Sequence, residues 1–230
     1  MVAKKRLLFA FIFCLGFFLS NSLKAQFAMN SDSAFKAGSP NSGRLWGYAF
    51  GDYYYKTHTD TLNRGSGNQY TGIPKSRNTF QFRRIYLGYN YNISRKFSAE
   101  LLIEAANGAT SGEALTDNKL AFYIKLANVR WKEIWKGTDL VLGQVSTPGF
   151  SLSSEPIWGY RSVEKTIIDF RGTPSYDFGA ALQGKFDPKS QNFGYDLMVA
   201  NGTGAKPEGD NYKWLYGDIW GKFIDKKLYV

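Results

Sequence analysis

The stretch Lys96–Ala106, KFSAELLIEAA, decides how this chain folds. Phe97, Ala99, Leu101, Ile103 and Ala105 occupy every second position, and Ser98, Glu100, Leu102, Glu104 and Ala106 fill the positions between. Successive side chains of a β-strand point to opposite faces, so this segment reads as a strand with one apolar face and one charged, mixed face.

The same period recurs on both sides of it. Strands are expected at about Arg44–Tyr55, Thr79–Tyr91, Lys96–Ala106, Lys119–Trp131, Asp139–Ser146, Tyr176–Phe186, Phe193–Asn201 and Trp214–Ile224. In the second, Ile85, Leu87, Tyr89 and Tyr91 share a face opposite Arg84, Tyr86, Gly88 and Asn90. In the fourth, Leu120, Phe122, Ile124 and Leu126 alternate cleanly, and then Asn128 and Arg130 fall on the apolar side. A β-bulge restores the pattern by turning Val129 and Trp131 outward. The faces of the first strand stay open, because Asp52 follows Trp46, Tyr48 and Phe50 on one side. The connections alternate between long (Lys56–Asn78, Asn107–Asn118, Thr147–Ser175, Gly202–Lys213) and short (Asn92–Arg95, Lys132–Thr138 with Trp135, Asp187–Asn192, Asp225–Lys227). All seven Pro fall outside the strands, as a hydrogen-bonded ladder requires.

The first 25 residues read as a secretion signal. Lys4, Lys5 and Arg6 precede the apolar run Leu7–Leu19, about 13 residues long, and a small polar exit ends at Ala25. That run is short of the roughly 20 residues of a spanning helix. Gln26–Gly43, Ser- and Asn-rich, reads as a flexible lead-in, and Arg44–Val230 as the folded domain. The only Cys is Cys14, inside the signal, so the exported chain has no disulfide, thiolate nucleophile or cysteine metal site. Loss of Lys4, Lys5, Arg6 and Lys24 takes the net charge from +10 to +6. A basic balance suits anionic lipid or anionic solutes; export argues against nucleic acid.

Long alternating strands joined by short turns at one end and long loops at the other are the signature of a transmembrane β-barrel. A secreted, lectin-like β-sandwich also alternates, but its strands are usually about five or six residues. Tyr89, Tyr91, Trp131, Trp135 and Phe186 lie near the short turns, where an interfacial aromatic girdle would sit. The expected fold is therefore all-β, an antiparallel up-and-down barrel in an outer membrane.

Four segments follow one another in a telling order: Gly143–Gly149 (GQVSTPG), Trp158–Gly172 (WGYRSVEKTIIDFRG), Asp177–Gly184 (DFGAALQG) and Val199–Gly204 (VANGTG), with the basic pair Arg83–Arg84 upstream. This succession resembles the porin family that includes the phosphate-selective porins O and P. The resemblance implies a passive pore, assembly as a homotrimer and about sixteen strands. Since eight strands and the start of a ninth at Leu228–Val230 are present, the chain is expected to be the N-terminal part of such a porin rather than a complete eight-stranded barrel.

If the apolar faces meet lipid, Arg84, Lys125, Lys185 and Lys222 point into the lumen with Glu100, Glu104, Asp196 and Asp218. The third long loop, expected to fold inward as a constriction, carries Arg161, Lys165 and Arg171 with Glu155, Glu164 and Asp169. Both sets are balanced, so phosphate selectivity does not carry over from the family. A preference for anions such as phosphate rests on net charge alone. The expected function is passive diffusion of small hydrophilic solutes; the alternative is a non-channel barrel whose long loops bind a partner. His58, the only His, sits in a loop, and no nucleophile–base pair, metal cluster or cofactor motif is visible.

Overall fold

The computed structural model describes residues 39–59, 73–107, 120–150, 168 and 172–230. The segments expected to be a signal and most of a lead-in, and the centre of the third long loop, lie outside the described residues. The described chain forms one antiparallel sheet in strict chain order: β1 (Ser42–Tyr55), β2 (Asn78–Asn92), β3 (Phe97–Asn107), β4 (Leu120–Trp135), β5 (Thr138–Ser146), β6 (Tyr176–Lys185), β7 (Phe193–Ala200), β8 (Trp214–Phe223) and the short β9 (Leu228–Tyr229). Each strand pairs with its neighbours in sequence, so every hairpin reverses direction. The short connections gather at one end of the sheet and the long ones at the other. The sheet is open: β1 and β9 are its edges.

Two limits differ from the sequence expectation. β1 begins at Ser42, inside the segment read as lead-in. Trp135, expected in a turn, belongs to β4, which runs on past a register shift between Trp131 and Trp135. The turn that follows is only Lys136–Gly137. Gly137 there has φ 79°, and a Cβ on it would crowd the Pro188 ring and the Lys185 carbonyl oxygen of the next turn.

The two faces differ in chemistry. Leu87, Tyr89, Leu101, Ile124, Val129, Trp131, Leu142, Phe178, Leu197, Val199, Leu215 and Ile219 share one face by their cross-strand pairing, and all are exposed. Among the described residues no second layer covers them. Aromatic pairs mark the ends of this face: Phe97–Trp131, Phe186–Tyr195 and Phe193–Phe223 near the short turns, and Tyr53–Phe80 at the opposite end. On β2, Phe80 and Tyr91 are eleven residues apart; that is roughly 36 Å of strand, or about 26 Å in height at a 45° tilt.

The other face carries the polar and charged groups, and it is the buried one. Tyr86, Val141, Met198, Glu104, Asp177 and Asp196 are all within 2% of full burial. A single flat sheet offers no such cover. The cover comes from curvature: Trp46 and Tyr48 of β1 line the same cavity as Val141 and Val145 of β5. On a flat sheet these strands stand four spacings apart, about 19 Å. The sheet therefore curls around its charged face and leaves its apolar face convex.

Candidate functional site

Two β-bulges build the site on the concave face. Phe50 pairs with Arg84 and Gly51 with Phe82, so Arg83 is an extra residue in β2. It turns to the same side as Arg84, where its Nη1 meets Asp52 Oδ2 at 3.1 Å. Likewise Leu102 pairs with Leu126 and Ile103 with Ile124, so Lys125 is the extra residue in β4. A bulged residue and its successor point to the same side, which adds one cation to the face at each place. The expected bulge in β4 does place Val129 and Trp131 on the apolar face. It also corrects the expectation for Leu126, which lies on the charged face, buried with Tyr86 and Leu102.

Glu104 is the centre of this cluster. Lys125 Nζ stands 3.2 Å from its carboxylate and Arg84 Nε 3.5 Å. The Tyr123 hydroxyl hydrogen-bonds Glu104 and Tyr176. The Lys125 ammonium also lies 4.9 Å from the Tyr86 ring centre and 5.9 Å from that of Tyr176. A buried charge is tolerable only when paired and hydrogen-bonded, and here each charge has both an opposite charge and a polar or aromatic neighbour.

A second network runs nearer the short turns. Arg130 donates to Asp139 Oδ2 at 3.0 Å and to Gln183 Oε1 at 2.6 Å, and Gln183 Nε2 donates to Asp196 Oδ2 at 3.0 Å. Asn128 donates to Glu100 at 3.2 Å. Towards the long loops, fully buried Asp177 accepts from the backbone N–H of Phe178 and Gly202 and from the Tyr216 hydroxyl, at 2.8, 2.6 and 2.8 Å. Between the two networks lies a cavity of about 340 Å³ lined by Trp46, Tyr48, Glu100, Lys125, Asn128, Arg130 and Gln183, among others.

All eight charges expected to share a face do share it: Arg84, Glu100, Glu104, Lys125, Lys185, Asp196, Asp218 and Lys222 all lie on the concave side by their pairing. Arg84, Glu100, Glu104 and Lys125 come together around the cavity. Lys185 lies at the turn end against Gln191, and Lys222 sits 5.2 Å from the centre of the Trp220 ring. Asp218 stands directly opposite Asp196. Arg161, Glu164, Lys165, Asp169 and Arg171 lie outside the described residues. Sequence reasoning passed over Asp52, Arg130, Asp139, Asp177, Trp46 and Tyr48 as site residues. The signal for Arg130 was the broken alternation in β4 itself.

No group of three His, Cys, Asp or Glu side chains is placed to hold a metal ion among the described residues. Comparison with protein-family models, with curated proteins and with solved structures gives no match. Outside the strands, two exposed carboxylates titrate below their usual range. Asp187 is held down by the Lys189 backbone N–H, and Glu208 by Lys213 Nζ at 2.8 Å.

Proposed function

We propose that the sheet is the wall of a transmembrane β-barrel in an outer membrane, and that its concave face borders a wet passage for small hydrophilic solutes. The observation that carries this reading is the inversion of the faces: the apolar side chains are convex and bare, while the charges are concave and paired. Soluble monomers rarely leave so large a contiguous apolar surface uncovered, and lipid is the partner that covers one wrapped around a sheet. The aromatic pairs at both ends of the convex face are spaced as membrane interfaces are. Closing such a wall pairs its free edges, which removes unpaired backbone groups from lipid. The resemblance to the phosphate-selective porins supports the same reading and adds a homotrimer as the expected assembly.

Charge selectivity in this passage is weak. Arg83, Arg84, Lys125 and Arg130 each stand on a carboxylate, so little of the net +6 is presented as a ladder of cations. The test is the full-length protein, purified and inserted in planar bilayers under a salt gradient. Stepwise conductance with a small, anion-side reversal potential is expected. A protein that stays soluble without detergent, or a bilayer that stays silent, contradicts the passage. The silent, membrane-embedded result would leave the barrel as a structural or partner-binding element.

A further inference from the structure

We infer that the cavity on the concave face is a binding site for a neutral carbohydrate, an inference that rests on the reading of that face as wet. Three features of the cavity point to this ligand. First, Trp46 and Tyr48, two residues apart on β1, both line it with their ring planes only 15° apart and centres 6.0 Å apart. Stacked side by side along β1, the two rings give the cavity an apolar aromatic wall. Aromatic faces carry partial negative charge and a large apolar area, which suits the C–H face of a sugar ring.

Second, the ring of Trp46 is held in place. Its indole N–H donates to Asn90 Oδ1 at 2.6 Å, and its six-membered ring covers Gly88 on β2, where any Cβ would overlap it. Glycine at that position makes the ledge, and an already positioned ring loses little freedom on binding.

Third, the polar groups facing the rings are planar and electrically balanced. Glu100, Asn128, Arg130 and Gln183 offer a carboxylate, two amides and a guanidinium, which donate and accept in pairs as adjacent hydroxyls require. Glu100, Glu104, Asp139 and the buried Asp196 stand against Lys125, Arg84 and Arg130, so a full anion gains no net attraction here. The volume, about 340 Å³, lies at the small end of ligand-sized pockets, which run about 300–1,000 Å³. It suits one ring of an oligosaccharide with its water.

The test uses the full chain folded in detergent micelles, with maltotriose and inorganic phosphate as probes in isothermal titration, and then in planar bilayers with maltotriose added. Maltotriose binding is expected, with Trp46→Ala weakening it about tenfold, as loss of one stacked ring does. Trp46→Phe should retain most of the affinity, and this variant also guards against a folding defect in Trp46→Ala. No maltotriose binding by the unmutated chain overturns the inference. So does equal binding by Trp46→Ala, or phosphate binding that Trp46→Ala abolishes. Micellar binding with a silent bilayer supports the site and removes the passage. Conductance that maltotriose leaves unchanged, without micellar binding, removes the site and keeps the passage.

Discussion

Leu142→Arg separates a membrane wall from a soluble sheet. Leu142 sits at the centre of β5, four residues from Thr138 and four from Ser146, on the convex face between Val129 and Ala180. Its side chain is 49% exposed. In water, exchanging a residue already half bare costs at most about 0.5 kcal/mol. In a bilayer the position is close to the midplane: four residues are roughly 13 Å of strand and about 9 Å in depth at 45°. An arginine there costs about 2–4 kcal/mol, and near an interface only about 0–1 kcal/mol. Phe186→Arg, on the same face beside a short turn, is the matched control. The assay is urea unfolding from phosphatidylcholine vesicles followed by tryptophan emission. Leu142→Arg is expected to lose about 2–4 kcal/mol and Phe186→Arg less than about 1 kcal/mol. If both variants match the unmutated chain within about 0.5 kcal/mol, the convex face does not meet lipid.

Three further outcomes follow from the concave face and the loops. Glu104→Ala leaves Lys125 and Arg84 without their shared carboxylate; it should cost about 3–5 kcal/mol in the same vesicle assay, and an effect below about 1 kcal/mol would mean the cluster is wet and loose. Asp177→Ala strands three donors, so about 2–4 kcal/mol is expected, with faster amide hydrogen exchange at Gly202 as the local readout. Glu208 has its pKa lowered from an ordinary value of 4.5, first by its bond to Lys213. A lowered carboxylate stabilises the folded loop above the unfolded pKa, and that contribution is lost as pH falls through the folded one. Proteolytic nicking of the Gly202–Lys213 loop should therefore rise below pH 4.5, and Glu208→Gln should flatten the dependence.

Much of this architecture was legible in the sequence, because alternation, turn composition and proline placement are local. The period of two around Lys96–Ala106 located both faces of β3 and put Glu100 and Glu104 on the charged one. It failed where one extra residue enters a strand. Arg83 and Lys125 shift the phase of β2 and β4, and nothing in an apolar–polar pattern says which residue is the extra one. That is why Leu126 was read on the wrong face although the bulge itself was expected. The faces of β1 stayed open because aromatics occupy the charged side there: Trp46 and Tyr48 lie on glycine and on Tyr86 rather than in lipid. Ion pairing was illegible for another reason. Asp52–Arg83 and Arg130–Asp139 join residues across hairpins, and only the register brings them together.

The most direct measurement places the two faces against lipid and water. The one Cys is Cys14, so single cysteines for spin labels go into a Cys14→Ser background. The informative pairs are Asn128→Cys with Val129→Cys on β4, and Val141→Cys with Leu142→Cys on β5, in vesicles. Power-saturation spectra should show labels at 129 and 142 open to oxygen in the bilayer. Labels at 128 and 141 should be shielded from oxygen, with 128 reached by a polar nickel reagent. All four reached equally by the nickel reagent, or the alternation reversed, would contradict a wall whose apolar face meets lipid.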